Sequence, residues 1–381
     1  MGGAIIVHRK IPAALAAAVT ATAIAMAATP AHAAPSDVPG MVTQVGDMAD
    51  YQRIPGAAVA KKVVYWTRDS LNRPALSSGV LLIPAGTPPA GGWPLVAWEH
   101  GTTGRSNACA PSETGFPDAR DYMHSLLVQG YAVAASDYIG LGTGGDHAYL
   151  DGRAAAQASV DMIRAAHTIN DSLTPAWVAV GHSQGGNTTL FTASLATSYA
   201  PELDYRGAVA FAPGSSVTDT MLLLGRPGIS DVLPPAMKAY FIYALGGLKA
   251  ARPEFDLDSY LTPLGRQAMA DGARLCNYPM ADEMTHVPLA DVFAKPLTDG
   301  DFERTARPVF DVPTTGYDRP LMVVQGTNDL DVPAPAVWKQ VAELQANGVR
   351  VDLRNYPGLD HEQILDASVP EVNPYLQHLF R

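Results

Sequence analysis

The segment Val180-Gly-His-Ser183-Gln-Gly-Gly186 contains the spacing G-x-S-x-G. An apolar run, 177–180, precedes it, and a run of helical character, 187–199, follows it. A serine on a sharp turn between a strand and a helix is exposed above the sheet, where it can act as a nucleophile. Small residues beside the serine allow the strand and the helix to approach closely. The segment therefore predicts that Ser183 is a catalytic nucleophile.

A serine hydroxyl needs a base that takes its proton and an acid that orients the base. Asp329 follows the apolar run 321–324 in a turn that begins at Gly326, so we expect its carboxylate at the rim of a sheet. Asp331 is the rival acid, and we expect it to cap the following turn or helix instead. His361 follows the last predicted strand and is the expected base.

Other histidines have less suitable positions for a base. His378 lies in a predicted C-terminal helix, and His286 lies in a long irregular segment. His182 is next to the nucleophile, would point elsewhere, and is interpreted as a packing residue.

Acyl transfer also needs N–H donors for the oxyanion that develops on the substrate. The backbone of Gln184, directly after the nucleophile, is expected to supply one. The loop His100-Gly-Thr-Thr-Gly104 follows a predicted strand and is expected to supply the other. The N–H of Thr102 is the best assignment, its hydroxyl is a candidate helper, and a register of one residue either way stays open.

The segment Gly140-Leu-Gly-Thr-Gly-Gly145 fits the pattern G-x-G-x-x-G. In a dinucleotide site these glycines open a helix directly, but here Asp146-His-Ala-Tyr149 continues as a loop. We expect no cofactor, and we interpret the segment as a tight loop beside the substrate cleft. Cysteine and histidine do not cluster as they do in zinc sites, so no metal is expected either.

Short apolar runs alternate with helical patterns along most of the chain. The predicted strands are 63–66, 79–83, 94–98, 131–135, 177–180, 208–211, 321–324 and 349–355. The predicted helices are 119–130, 152–169, 187–199 and 334–347. The first two strands are expected to be antiparallel, and the leader 34–60 shows no clear periodicity. The alternation predicts an α/β fold with a mostly parallel central sheet that helices flank on both faces.

The alternation lapses between residues 214 and 316, which are helical or irregular. A segment of this length has the size of a small cap or lid. We therefore expect a core formed by 34–213 and 317–381, with a cap formed by 214–316. The apolar stretch Met221-Leu-Leu-Leu224 is either part of an acyl pocket or ordinary cap core.

The first 33 residues have a basic start, an apolar alanine-rich middle and the exit Ala31-His-Ala33. This pattern is typical of a secretory signal peptide, so we expect a secreted, extracellular protein; a retained anchor is the alternative. No later segment approaches the ~20 apolar residues of a spanning helix, and no stable membrane insertion is expected. In an exported protein the lone pair Cys109 and Cys276 favours a disulfide over two buried thiols.

A hydrophobic content of 47% against 17% charged residues predicts a globular chain with a sizeable core. The net charge of −11 argues against nucleic acid as a partner. We expect the chain to act as a monomer on a small ester substrate.

Three motifs together make the chain resemble the secretory lipase family, the lipase A-type triacylglycerol lipases of fungi and actinomycetes. They are the serine turn, Asp137-Tyr-Ile-Gly-Leu-Gly142 and Cys109-Ala-Pro-Ser112. The resemblance runs from about residue 39 to the C-terminus. It implies an α/β-hydrolase core, a helical cap between the sixth and seventh predicted strands, and the triad Ser183, Asp329 and His361. It also implies a disulfide from the C-A-P-S cysteine into the cap, which matches Cys109 with Cys276.

One position departs from the family. The fungal lipases have an acidic residue in the oxyanion loop, whereas this loop reads His100-Gly-Thr-Thr-Gly104. The departure argues against long-chain fat as the substrate and leaves ester hydrolysis as the leading hypothesis.

The leading hypothesis is a carboxylesterase or lipase that works through an acyl-enzyme. The alternative is a serine peptidase or aminopeptidase on the same fold, which would need paired acids near the cleft to bind a free N-terminus. A third hypothesis, an inactive binding protein, conflicts with the complete set of nucleophile, acid and base.

Overall fold

In the computed structural model, the described residues are 1–3, 37–231 and 233–381. The predicted signal peptide, 1–33, lies outside the described residues apart from its first three positions, and it stays a prediction. None of the helices in the described ranges combines the length and the apolar character that crossing a bilayer requires.

Nine strands in the described part of the chain form one sheet, in the order β1-β2-β3-β5-β4-β6-β7-β8-β9. The strands are β1 Val42–Asp47, β2 Ala57–Arg68, β3 Pro74–Pro84, β4 Trp93–Glu99, β5 Ala132–Ile139, β6 Leu173–His182, β7 Asp204–Phe211, β8 Leu321–Gly326 and β9 Val351–Tyr356. The neighbouring pairs β1–β2, β2–β3 and β3–β5 are antiparallel, and the other five neighbouring pairs are parallel. The predicted fold class and the antiparallel first pair are confirmed.

Strand β1 was not predicted, so the interpretation of 34–60 as a leader without periodicity was incomplete. Five of the six residues of β1 are exposed, and the strand lies at the edge of the sheet. An edge strand without a buried face does not need alternating apolar residues, and the pattern that sequence reasoning detects is therefore absent.

Helices cover both faces of the sheet. They are α1 Pro111–Thr114, α2 Arg120–Val128, α3 Gly152–Ile169, α4 Gln184–Tyr199, α5 Val217–Leu224, α6 Pro235–Ala251, α7 Pro263–Arg274, α8 Asn277–Met284, α9 Leu289–Val292, α10 Phe302–Phe310, α11 Ala334–Ala346, α12 Gln363–Ala367 and α13 Val369–Leu379. Alternate residues of β4 face opposite ways, since Leu95 belongs to a hydrophobic cluster that includes residues of α3, α4 and α11, while Val96 belongs to a second cluster that includes residues of α2 and α13. The two layers hold the sheet rigid, and its carboxyl edge can then position loops accurately.

Helices α5 to α10 lie between β7 and β8 and make up the helical insertion, residues 214–316. Buried side chains such as Ile242, Leu257 and Phe302 give it a hydrophobic cluster of its own. Tyr149 and Leu150, from the loop after β5, join that cluster. The insertion therefore has its own core and also contacts a loop that comes from the sheet.

A disulfide joins Cys109 and Cys276, which are 167 residues apart. Cys109 follows the loop after β4, and Cys276 immediately precedes α8 of the insertion. Beside the disulfide, the N–H of Asn277 donates to the carbonyl of Thr103 at 2.9 Å. The predicted disulfide is confirmed, and it ties the insertion to the loop His100–Gly104.

Replacing Cys109 and Cys276 by Ala is expected to lower the Tm without preventing folding. A bridge across so long a loop restricts the unfolded chain by about 5 kcal/mol in the chain-entropy model. Thermal unfolding of both proteins with and without reductant checks this. The double variant is the matched control because reductant should lower the Tm of the wild type only. Equal Tm values for oxidised wild type and variant would contradict a stabilising disulfide.

Candidate active site

Ser183 lies on the turn between β6 and α4, with φ 61° and ψ −117°. Its N–H donates to the carbonyl of Phe211, and its own carbonyl accepts from Asn187. A Cβ at Gly185 would collide with the backbone carbonyl of Glu99 on β4, so only glycine permits this approach of helix and strand. A left-handed serine is a strained conformation that persists where surrounding contacts impose it. The turn has the geometry of a nucleophile elbow.

A buried carboxylate, that of Glu99, contacts the helix that follows the elbow. The hydroxyls of Thr189 and Thr192 on α4 donate to Glu99 at 2.5 and 2.6 Å. Burial raises the pKa of Glu99 to about 7, although these hydrogen bonds oppose the rise. The contacts attach α4 to the end of β4, where the loop His100–Gly104 begins. This role of Glu99 was not predicted from the sequence, where the available signal was a lone acidic residue at the end of an apolar strand.

Asp329 and His361 meet at the carboxyl ends of β8 and β9. The Nδ1–H of His361 donates to the Asp329 carboxylate at 2.7 Å, and both side chains are buried. The other carboxylate oxygen accepts the backbone N–H groups of Asp331 and Val332 at 2.9 and 2.7 Å. Gln325 donates a further hydrogen bond at 3.2 Å. The structure thus forms the predicted acid–base pair and fixes its carboxylate in one orientation.

The hydrogen bond between Asp329 and His361 influences the pKa of the His361 ring. Burial alone would lower the pKa of the ring, but the hydrogen bond and the negative charge of Asp329 outweigh burial and raise it. With Nδ1 donating to Asp329, Nε2 is the nitrogen left to take a proton.

Asp331 has a different role from the expected one. Helix α11 begins after Pro333 without a side-chain cap, and the backbone N–H groups of the turn donate to Asp329. The expectation that Asp331 caps the following turn or helix was therefore wrong. Its side chain instead lines the cavities beside Ser183, where burial raises its pKa.

His182 packs directly against the predicted base. The two ring centroids are 4.4 Å apart, and Nε2 of His182 contacts the carbonyl of His361 at 2.9 Å. Burial lowers the pKa of His182 to about 3, so the ring is neutral and Nε2 carries the proton that it donates. His182 is a packing residue, as predicted, but it lies against His361 rather than pointing away from the site.

Ser183 and His361 line the same cavity, of about 310 Å³. Within the described residues, the Ser183 hydroxyl does not hydrogen-bond the His361 ring in this structure. Catalytic hydrogen bonds are often long in ligand-free enzymes and tighten when substrate binds. The structure brings the predicted nucleophile and the predicted base to one cavity.

The predicted oxyanion loop passes beside the elbow. A Cβ on Gly101 would lie 3.5 Å from Cβ of Ser183. In the described part of the chain, the backbone N–H groups of Gln184 and Thr102 have no hydrogen-bond acceptor. Buried N–H groups are normally paired, so two free groups beside a nucleophile suit an oxyanion site.

Two compartments of different chemistry meet at Ser183. One, of about 390 Å³, lies between the elbow and the insertion and has an apolar lining. It is lined by residues such as Met221, Leu224, Met237 and Phe241. The other is the cavity with His361, which three acidic residues line, namely Asp118, Asp331 and Glu362. Volumes of this order are usual for small-molecule sites.

His182, His361 and Glu362 offer ligand atoms within 4.8 Å of one another, a spacing that could hold a metal ion. Nε2 of His182, however, carries a proton that it donates to a carbonyl, and Nδ1 of His361 donates to Asp329. These hydrogen bonds account for one ring nitrogen of each histidine, and the expectation that the site holds no metal stays a prediction.

The nine-stranded sheet with flanking helices and a serine elbow has the architecture of the α/β-hydrolase fold. Solved structures share the fold. Candida antarctica lipase A is 21% identical, with a TM-score of 0.70, covering 88% of this chain and 84% of the lipase. The rice cell wall degrading esterase LipA from Xanthomonas oryzae is 19% identical, with a TM-score of 0.70, covering 89% of this chain and 99% of the esterase.

The chain is similar to the secretory lipases, and the resemblance found in the sequence is confirmed. The secretory lipase family model matches residues 119–304. Lipase A of Moesziomyces aphidis is 31% identical over 147 residues, which cover 38% of this chain and 29% of the lipase. A protein of Mycobacterium tuberculosis named a probable inactive lipase is 24% identical over 365 residues, or 90% of this chain and 79% of that protein. A prolyl oligopeptidase family model matches residues 291–376.

Asp329→Asn is expected to lower kcat on the order of 10⁴-fold, because the amide cannot hold the His361 tautomer.

In the wild type, kcat/KM should fall as the pH decreases through the raised pKa of His361, because a protonated ring cannot act as a base. The pH–rate profile of wild type checks this expectation. An acid limb at or below the ordinary histidine pKa of about 6.5 would contradict it.

Asp331→Asn is the matched variant because it removes a neighbouring carboxylate and leaves the bond to Nδ1 of His361 in place. Its kcat should fall far less than that of Asp329→Asn. An equal fall would reverse the assignment of the acid.

Proposed function

We propose that this protein is a secreted serine hydrolase that cleaves carboxylic esters through an acyl-enzyme on Ser183. The observation that carries the proposal is the buried Asp329–His361 pair in the same cavity as a serine on a strained elbow. The confirmed relation to secretory lipases supports the reaction class. The disulfide and the signal-like first 33 residues support secretion.

In the proposed reaction, Oγ of Ser183 attacks the ester carbonyl while Nε2 of His361 takes the hydroxyl proton. Asp329 stabilises the imidazolium that forms. The N–H groups of Gln184 and Thr102 bind the oxyanion. His361 then returns the proton to the alcohol as the ester C–O bond breaks. Water attacks the acyl-serine by the same route, releasing the acid and restoring the serine.

The two compartments suggest how an ester would lie. The apolar compartment suits the acyl chain because burying apolar surface is favourable. The compartment with His361 suits the alcohol because the leaving oxygen must receive its proton from that ring. We propose that residues 214–316 act as the cap of the core formed by 34–213 and 317–381, because their helices supply most of the apolar lining. In this arrangement Met221 and Leu224 line the acyl side, one of the two roles considered for that stretch.

A serine peptidase or aminopeptidase is the second candidate. Its specific support is the match to the prolyl oligopeptidase model and the acidic lining near His361. Carboxylates such as Asp118 and Glu362 could bind the amine of a peptide N-terminus. Ester cleavage remains the better-supported reaction because the secretory lipase match covers more of the chain.

Ser183→Ala is expected to fold normally and to lose about 10⁴-fold or more in kcat on p-nitrophenyl butyrate, because the triad acts as a unit. A fluorophosphonate probe should label the wild type and not the variant. Unlabelled, inactive wild type would instead support an inactive binding protein; the mycobacterial relative is itself named a probable inactive lipase.

The same preparations tested on an aminoacyl-p-nitroanilide separate the two hydrolase candidates. We expect ester turnover to exceed amide turnover. Amide turnover without ester turnover would replace the esterase proposal with the peptidase.

A further inference from the structure

A short segment beyond the glycine-rich loop 140–145 contacts both predicted oxyanion residues. The side chain of His147 meets that of Gln184, and the side chain of Tyr149 meets that of Thr102. From its sequence, the loop 140–145 was expected only to border the substrate cleft. The proposed mechanism does not use either contact.

Hydrogen bonds fix the first contact in one direction. Nδ1 of His147 donates to the carbonyl of Ile139 at 2.9 Å, so Nε2 carries the lone pair. Nε2 of Gln184 therefore donates to Nε2 of His147, at 3.1 Å. Burial lowers the pKa of His147 to about 3, which keeps the ring in this neutral form. The side chain of Gln184, the residue expected to supply one oxyanion N–H, is thus fixed by its hydrogen bond to His147.

The second contact joins two hydroxyls. Oγ1 of Thr102 and the hydroxyl of Tyr149 are 2.6 Å apart, and both residues are buried. In the described residues, each hydroxyl has only the other as a hydrogen-bond partner. Burial raises the pKa of Tyr149, so its hydroxyl stays protonated. If Tyr149 donates to Thr102, the proton of Thr102 remains available to a group in the site.

The pair is well placed to reach that group. Thr102 lines the cavity with His361, Tyr149 lines the apolar compartment, and Ser183 lines both. The neighbouring Gly101 passes beside Ser183, as described above. Thr102 and Ser183 therefore face one cavity, in which an oxyanion on the Ser183 adduct would form.

We propose that Tyr149 is a positioning residue that orients the hydroxyl of Thr102 as a third donor to the oxyanion. This inference rests on the proposed function. Thr102 would then donate twice, from its backbone N–H and from its hydroxyl. Tyr149 packs against Tyr243 of α6, with ring centroids 5.7 Å apart, and belongs to the hydrophobic cluster of the insertion. The insertion thereby contributes to the oxyanion site through Tyr149, in addition to lining the acyl side.

The hydroxyls are tested by removing them singly. Tyr149→Phe is expected to lower kcat on p-nitrophenyl butyrate roughly tenfold with little change in KM, because the donor acts only when the oxyanion forms. Thr102→Val should lower kcat on the order of 10²-fold, and Thr102→Ser should restore most of it. Affinity for butylboronic acid, which forms a tetrahedral adduct on serine, should fall in parallel with kcat. A merely structural role would not couple boronate affinity to kcat in this way.

The double variant Tyr149→Phe with Thr102→Val tests whether Tyr149 acts through Thr102. It should be no slower than Thr102→Val alone. Tyr243→Phe is the matched control, since its hydroxyl donates to the carbonyl of Leu275 at 3.0 Å and lines neither compartment. That variant should keep the kcat and the boronate affinity of the wild type.

Wild-type kcat and boronate affinity in Tyr149→Phe, or independent losses that multiply in the double variant, would overturn the inference. Ser183→Ala in the same series separates this result from a failure of the proposed function. An inactive Ser183→Ala beside a fully active Tyr149→Phe would overturn the role of Tyr149 alone. Retained activity in Ser183→Ala would overturn the nucleophile, and the third donor with it.

Discussion

The close approach of α4 to the end of β4 is the constraint on which the site depends. Gly185 packs against the backbone of Glu99, and the Glu99 carboxylate holds the hydroxyls of Thr189 and Thr192. This contact keeps Ser183 in a left-handed conformation that an isolated turn would rarely adopt. It also places the loop after β4 beside the elbow, so the predicted nucleophile and the predicted oxyanion donors share one support.

The acid and the base come from separate strands, and their meeting depends on the sheet. Strands β8 and β9 are parallel neighbours, and their carboxyl ends therefore bring Asp329 and His361 to the same edge. Four hydrogen-bond donors surround the Asp329 carboxylate. Because the acid is fixed in this way, the direction of the His361 ring is fixed too. In the part of the chain that the structure describes, the Ser183 side chain, by contrast, is not fixed by a hydrogen bond to the His361 ring.

The fold and the candidate nucleophile, acid and base could be predicted because their signals are local. Ser183 lies within a seven-residue motif, and Asp329 and His361 each follow an apolar strand. Other features depend on residues far apart in the chain. The hydroxyl contact between Thr102 and Tyr149 spans 47 positions, and nothing near either residue indicates it. Asp331 was assigned to a cap that Asp329 provides, because two acids in one turn give no local sign of which faces inward.

The difference between the two compartments has a consequence for how a reaction would end. Ester hydrolysis converts a neutral group into a carboxylate, and in the proposed reaction this carboxylate would form at Ser183, where the apolar and the acidic compartments meet. Asp331 borders both compartments, and Glu362 lies close to His361. The newly formed anion would thus meet like charges that the neutral ester did not. In the proposed reaction, the site would therefore repel the product acid, and this repulsion would favour product release and weaken inhibition by the accumulated acid.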